Sequence, residues 1–364
     1  MTDLFDNYSL NGLALANRIV MSAMTRTRAT DDGVPTDLMR DYYVQRASAA
    51  LIITECTQVS DQGHGIMRCP GLHREAQLAG WRRLTDAVHS AGGRIYCQLW
   101  HCGRVAHPDM RGGEPPVGPS PIAATGDFFL PSGRVELPVP RALALHEIPG
   151  IIADFEQATR NAREAGFDGV ELHGANGYLQ DQFLQDGSNH RTDKYGGSPE
   201  NRARLMLETV EAMIGAWSAE RIGVRLSPSS YLYGVDDGNK RATFGHVIRT
   251  LDAFKLGFLC LLEPNEKDLA RGVQIKHVLD TFRAMTASPI IVNTGFDKTK
   301  ASAVLASGKA DLVAFGVPYI ANPDLAVRLR TGAPFNKPDP STFYGDGPKG
   351  YTDYPTQARA NAAA

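Results

Sequence analysis

No stretch of this 364-residue chain is long and apolar enough to span a bilayer, and its first residues, Met1-Thr2-Asp3-Leu4-Phe5-Asp6, have neither a basic segment nor an apolar run that would direct export. Cysteine is scarce. The five are Cys56, Cys69, Cys97, Cys102 and Cys260, an odd number with no CxxC pair and no His/Cys ligand spacing. That argues against a disulfide framework and a structural zinc, and for a reducing compartment. An excess of charge of one sign is also missing: the net charge is −2 and the pI near 6.6, with no basic patch to recommend nucleic acid as a partner. What remains is a soluble, cytoplasmic protein that meets small molecules. Its 43% hydrophobic and 21% charged residues are ample for a buried core and speak against disorder.

What the chain does have is alternation. Asn11-Gly12 between two short apolar runs, Tyr8 to Leu15, predicts an N-terminal β-hairpin. Then short strands and amphipathic helices take turns. The expected strands are 18–24, 51–56, 94–100, 169–173, 222–227, 258–263, 289–294 and 312–315; the helices are 35–47, 75–91, 149–165, 199–217, 243–255, 273–285, 298–307 and 322–329. Eight strand-then-helix units predict an α/β fold with a parallel sheet closed as a single (β/α)8 TIM barrel over residues 1–364. An open doubly wound sheet is the alternative, but it would want a GxGxxG turn after its first strand, and none is there. Residues 101–148, rich in Pro and Gly, form an excursion after strand 3 that reads as a capping subdomain, and 356–364 reads as a frayed tail.

A barrel puts its chemistry at the carboxyl ends of its strands. Strand 4 ends there in Glu171-Leu172-His173-Gly174-Ala175-Asn176-Gly177-Tyr178, an imidazole, an amide and a phenol on a glycine-bracketed turn. These are two hydrogen-bond donors beside a phenolic acid, suited to polarising an electron-poor group and delivering a proton; a loop that merely satisfies its own backbone is the plainer alternative. In Ile222-Gly223-Val224-Arg225-Leu226-Ser227 the alternation aims Arg225 at the barrel axis, where a guanidinium needs an anion. That anion is either a ligand or the inward Glu171. Thr25 ends strand 1, and Gln98 and Trp100 end strand 3. Thr294-Gly295 and Gly316, after strands 7 and 8, stand where such barrels bind phosphate, although glycine is common after any strand. A ligand with a phosphate, an amide-like edge for Gln98 and charge for Arg225 describes FMN.

Five blocks go further: LIITECTQVS (51–60), QLWHCGRVAHP (98–108), GFDGVELHGANGYLQDQFLQDGSNHRTDKYGGSPENRARL (166–205), ADLVAFGVPYIANPDL (310–325) and TFYGDGPKGYTDYP (342–355). With them the chain, from Leu4 to Pro355, resembles the Old Yellow Enzyme family of FMN-dependent ene-reductases, especially bacterial members that reduce N-ethylmaleimide or nitrate esters. The resemblance implies FMN as cofactor, NADPH or NADH as hydride donor, and an activated alkene or nitro compound as substrate; it leaves monomer and homodimer equally open. It implies that His173 and Asn176 hold the substrate oxygen and that Tyr178 is the proton donor. It places Thr25 beside the flavin C4=O, with Ala23, Met24 and the Cys56 backbone near it, and Gln98 and Arg225 on the pyrimidine edge. Thr294, Gly295, Gly316 and Val317 fall at the phosphate, and Trp100, Ile66 and Tyr344 at the substrate cavity. Three residues depart from the pattern. Val317 stands where the family commonly has a basic phosphate ligand, for which Lys298 is a candidate substitute. Ile66 replaces a frequent Tyr, and Ala23-Met24 a frequent Pro-Leu.

Two rivals use the same barrel. A metal-dependent hydrolase would draw ligands from His101, His107, His173, His190, Asp181 and Asp186, though no zincin-type motif is present. A phospho-ligand-binding barrel without turnover would use Arg225 and Tyr178 for affinity alone.

Overall fold

The structure, a computed structural model, describes residues 2–130 and 132–358, so the expected frayed tail lies from 359 onward outside the described residues. The Asn11-Gly12 turn forms as expected. Both residues take positive φ, 46° and 84°, and Tyr8–Leu10 pairs antiparallel with Leu13–Leu15. Eight parallel strands follow: β1 (Ile19–Met21), β2 (Leu51–Ile53), β3 (Ile95–Trp100), β4 (Gly169–Gly174), β5 (Ile222–Leu226), β6 (Phe258–Leu262), β7 (Ile290–Asn293) and β8 (Leu312–Phe315). Each pairs with the next and β8 returns to β1, which closes the barrel.

The outer helices of the eight units are α1 (Asp37–Val44), α2 (Glu75–Ser90), α3 (Ile148–Glu164), α4 (Pro199–Ala216), α5 (Lys240–Ala253), α6 (Val278–Phe282), α7 (Lys298–Ala306) and α8 (Leu325–Thr331), and a shorter helix, Leu179–Leu184, follows β4. Their starts follow from local chemistry. Ser198 caps α4, its hydroxyl accepting the Asn201 N–H with Pro199 at the first helical position, and Asn239 caps α5 three residues earlier than the pattern suggested. The apolar stripe of α2 buries Leu78, Trp81, Leu84 and Val88 on the barrel, and burying each Leu or Val contributes roughly 1.5–3 kcal/mol. The expected helix 273–285 is a correction. Only Val278–Phe282 is α-helical there, and a separate helix, Glu266–Arg271, precedes it, nucleated by an Asn265/Asp268 capping box.

The barrel interior is filled by fitting large residues against small ones. Gly169 lies in register with Tyr96, and Gly223 with Phe258. A Cβ on either glycine would lie 2.3 Å or 2.2 Å from the facing ring, so these strands tolerate nothing larger. Leu10, Leu13 and Leu15 of the hairpin close this inner core from below, which leaves the carboxyl ends of the strands as the open mouth.

The excursion after β3 carries structure of its own: Val117–Gly118 pairs parallel with Arg141–Ala142, and Phe128–Leu130 forms a hairpin with Gly133–Val135. The carboxyl-terminal segment is strapped to the mouth. Arg26 donates to the carbonyls of Phe343 and Gly350, and Tyr351 stacks on Tyr42 at 4.0 Å.

Candidate functional site

Inward-facing side chains at the carboxyl ends of β3, β4 and β5 form one continuous floor. Glu171 is paired in register with Gln98, and His173 with Arg225. The Gln98 amide is fixed at both ends: Nε2 donates to Glu171 Oε1 at 2.7 Å, and Oε1 accepts from Cys56 Sγ at 3.2 Å. Burial pushes the Cys56 thiol up to about 12, so it stays a protonated donor, with the Thr25 hydroxyl beside it. The second oxygen of Glu171 is buried with no partner, and burial raises the proton affinity of this carboxyl, opposed by the Arg225 charge.

Arg225 is 7% exposed and does not pair with Glu171, the intramolecular alternative that the sequence left open. It donates instead to neutral groups: Asn293 Oδ1 at 3.0 Å, Ser22 Oγ at 3.2 Å and Cys260 Sγ at 3.6 Å. The Asn293 amide is oriented by its own bond to the Ala314 carbonyl. Among the described residues no carboxylate lies within ion-pair distance of this guanidinium. A buried cation without a counter-charge at the barrel mouth calls for an anionic ligand.

Above the floor stands the strand 4 turn. His173 is 5% exposed, and burial, together with the Arg225 cation, holds its proton affinity well below the usual imidazole range; its Nδ1 has no partner. It is therefore a neutral imidazole with hydrogen-bonding capacity to spare. Asn176 takes a left-handed φ of 60° and is fixed through its backbone, its N–H donating to Ser227 Oγ at 2.8 Å. Its amide side chain makes no bond to the described residues and is free for a ligand. Tyr178 lies between Trp100, edge-on at 5.1 Å, and His173 at 5.2 Å, and burial pushes its phenol well above the ordinary range. Asp181 accepts the Gly177 N–H at 2.9 Å, and Gln182 donates to the Gly177 carbonyl at 2.7 Å, so both polar groups of that turn residue are held.

The other sequence-predicted residues gather around this centre. Ile66 packs against the cluster that contains Cys56, Trp100 and Tyr178, and the indole N–H of Trp100 is buried without a partner. Tyr344 projects from the carboxyl-terminal strap with its neighbour Gly345 hydrogen-bonded to Thr27, and its phenol lies close enough to influence Tyr178. Ala23, Met24 and Thr25 continue β1 as an irregular segment. Thr294 and Gly295 turn through positive φ, 82° and 78°, and Gly316 precedes the short helix Val317–Ala321. A Cβ at Gly295 would meet nothing within 4 Å, so it faces open space of the kind a phosphate could fill, whereas one at Gly316 would be in ordinary contact with Met24 Sδ at 3.7 Å. Lys298 does not serve that space, which corrects the sequence expectation. Its ammonium sits over the Phe5 ring at 5.4 Å, whereas Lys300 reaches the Gly295 carbonyl at 3.3 Å.

The nominated hydrolase ligands do not converge. His101 Nδ1 accepts the Gly103 N–H, Asp181 is committed to Gly177, and Asp186 accepts the Gly238 N–H. Sequence reasoning missed Tyr233, on the loop after β5, whose ring lies 5.7 Å from that of Tyr178. Its signal was position: in a barrel every loop that follows a strand borders the mouth.

The floor fits a flavin. Gln98 offers a fixed amide, Arg225 a cation without a counter-charge, and the glycine pair a cradle. Comparison with known proteins agrees. The description of the NADH:flavin oxidoreductase / NADH oxidase family matches residues 3–336. A probable flavin mononucleotide-dependent alkene reductase from Leishmania infantum is 41% identical over 352 residues, which cover 95% of each chain. Morphinone reductase, solved in complex with tetrahydroNAD, superposes with a TM-score of 0.91 at 43% identity, covering 98% of each chain. The old yellow enzyme homologue from Zymomonas mobilis superposes with a TM-score of 0.93 at 42% identity, covering 97% of this chain and 99% of its own. A match this extensive, on a fold and a floor suited to the cofactor, means that the chain belongs to the NADH:flavin oxidoreductase / NADH oxidase family, the FMN-dependent Old Yellow Enzyme-type reductases.

Proposed function

We propose that this protein reduces the activated C=C bond of α,β-unsaturated carbonyl or nitro compounds, with NADPH or NADH as the electron source. When bound, FMN would supply the hydride chemistry between the nicotinamide and the substrate's β-carbon. The observation that carries the reading is the pairing of His173 and Asn176, two hydrogen-bonding groups with unused capacity, with the buried phenol of Tyr178 above the cationic floor.

The residues divide the work. Arg225 and Gln98 hold the pyrimidine edge, Arg225 balancing negative charge there. Thr25 and Cys56 line the cofactor site beside Gln98. Backbone amides at Gly295, Gly316 and Val317 meet the phosphate. His173 and Asn176 orient the carbonyl or nitro oxygen and stabilise the charge that develops on it; one such donor is worth roughly 3 kcal/mol in comparable sites. Tyr178 delivers a proton to the α-carbon. Trp100, Ile66 and Tyr344 shape the cavity. Nitroaromatics and nitrate esters engage the same two donors without calling on Tyr178.

The visible spectrum of the purified protein is the direct test. A flavin band that bleaches anaerobically with NADPH or NADH, and returns when an enone is added, is the expected result. A colourless protein that takes up no FMN would overturn the proposal.

A further inference from the structure

A buried phenol that gives up its proton must regain one before the next turnover. Tyr178 is 8% exposed, so bulk water does not reach it freely. Three aromatic rings surround it: Trp100, His173 and Tyr233. The indole does not titrate in water, and the imidazole is held neutral by burial and by Arg225. Tyr233 alone of the three carries a hydroxyl. It is only partly buried, and its ring lies 5.7 Å from that of Tyr178.

The backbone of Tyr233 is unusual. At φ 59° and ψ 23° it occupies the left-handed region, which a bulky L side chain seldom adopts unless its surroundings impose it. Those surroundings are built for the purpose. Arg104, 1% exposed, sends Nη2 to the Tyr233 carbonyl at 3.1 Å and to the Gly234 carbonyl at 3.2 Å, and Nη1 to the Ile122 carbonyl at 3.1 Å. The Thr125 N–H also donates to the Tyr233 carbonyl, at 3.2 Å. From the other side Gly177 comes so close that a Cβ on it would lie 2.4 Å from the Leu232 carbonyl oxygen and 3.2 Å from the Tyr233 Cβ. Arg104 is itself tied to the Tyr178 turn. Its N–H donates to Gln182 Oε1 at 3.0 Å, and Gln182 Nε2 donates to the Gly177 carbonyl. One buried guanidinium and one glutamine thus lock the two tyrosine-bearing loops together.

We propose that Tyr233 is the proton relay that recharges Tyr178, with Arg104 as the positioning residue that holds it in place; this rests on the reading of Tyr178 as proton donor. As the Tyr178 O–H bond breaks and the C–H bond forms at the substrate α-carbon, the Tyr233 O–H bond breaks and its proton passes to the Tyr178 oxygen. Tyr233 then takes a proton from water at the mouth, leaving a hydroxide that passes to solvent. The relay moves no electrons, and both phenols end as they began. The order of proton affinities suits the direction of transfer: burial lifts Tyr178 well above the ordinary phenol range and raises the less buried Tyr233 as well, while Tyr178 beside it draws Tyr233 back down.

The test uses the flavin-loaded enzyme, reduced anaerobically and mixed rapidly with cyclohexenone in mixtures of light and heavy water. Wild-type flavin reoxidation should show a curved proton inventory, with two protons in flight. Tyr233→Phe should be at least ~10-fold slower with a linear inventory, and Arg104→Gln should show the same change of shape. In ligand-free protein carrying carbon-13 at tyrosine Cζ, the Tyr178 resonance, assigned with Tyr178→Phe, should move in Tyr233→Phe. Wild-type rate and curvature in Tyr233→Phe, or an unmoved resonance, would overturn the relay. If Tyr178→Phe itself keeps the wild-type rate and solvent isotope effect, the donor reading fails first. If Tyr178→Phe is slow while Tyr233→Phe behaves as wild type, the relay fails alone.

Discussion

Replacing Gly177 by alanine probes how tightly the two loops over the site are packed. Gly177 has φ 77°, and a left-handed alanine costs about 1–2 kcal/mol. The added methyl would also lie 2.4 Å from the Leu232 carbonyl oxygen, a backbone atom that cannot swing aside as a side chain can. Overpacking of this kind costs about 1–3 kcal/mol, so the total is about 3 kcal/mol. At about 2.1 cal/mol/K per residue, a 364-residue chain then loses about 4 °C in Tm. Gly332 is the control. Its φ is 72°, but a Cβ there would meet nothing within 4 Å, so Gly332→Ala should cost only the dihedral term, about 1–2 °C. Relief of the clash must move the Leu232–Tyr233 backbone away from the Tyr178 turn by ~1 Å, and a misplacement of that size costs up to ~100-fold in rate. The assay is thermal unfolding of both variants with saturating FMN at one scan rate, together with the rate of flavin reoxidation by an enone. Equal losses of Tm in the two variants, with a wild-type rate in Gly177→Ala, would refute the reasoning.

Tyr178→Phe should slow flavin reoxidation by an enone and spare flavin reduction by NADPH or NADH, followed separately by stopped flow; equal loss in both half-reactions would remove Tyr178 from its assigned role. Arg225→Leu deletes the buried cation, and with charged hydrogen bonds worth about 1.5–3 kcal/mol it should weaken FMN binding roughly 10- to 100-fold in titrations of the apoprotein; an unchanged Kd would show that the guanidinium does not face the cofactor. Asp181, fully buried, has its carboxyl pushed up to about 6, so the folded state favours the protonated form: its contribution is greatest below the unfolded carboxylate range and is lost as pH rises through 6, by about 3 kcal/mol in all. Denaturant unfolding of wild type and Asp181→Asn should therefore differ in pH slope between pH 4 and 8 by that order, and parallel slopes would contradict the shift.

The local parts of this architecture were legible because their signals are local. Asn11-Gly12 can make few other turns, and the position of Arg225 between Val224 and Leu226 in a strand fixes which way it points once the other two face the helices. The strand 4 turn was legible for the same reason, since His173, Asn176 and Tyr178 are near neighbours in the chain. Relations between loops were not. Nothing near Tyr233 announces its left-handed backbone, because Arg104, which enforces it, enters from another loop. Lys298 was named as a cation near Gly295 in sequence, but the direction of its side chain depends on its helix and on Phe5 from the amino terminus, and it is Lys300 that reaches the Gly295 carbonyl. The helix Glu266–Arg271 was within reach, since Asn265 and Asp268 stand at capping-box spacing, but the apolar run after it drew the expected helix further along the chain.

The pairing of His173 with Arg225 in register also has an electrostatic meaning. A guanidinium on the adjacent strand, in a buried setting, disfavours a second positive charge on the imidazole. Arg225 therefore does more than offer a buried positive charge. Together with burial it keeps His173 neutral. With His173 neutral, Arg225 is the cation of the floor formed by β3, β4 and β5, and the strand 4 turn above it presents uncharged hydrogen-bonding groups. Glu171, the one acid on the floor, is masked on one side by Gln98. The sequence order at the ends of β3, β4 and β5 thus sets a buried positive charge beside a neutral imidazole, an arrangement that no one of these strands would show alone.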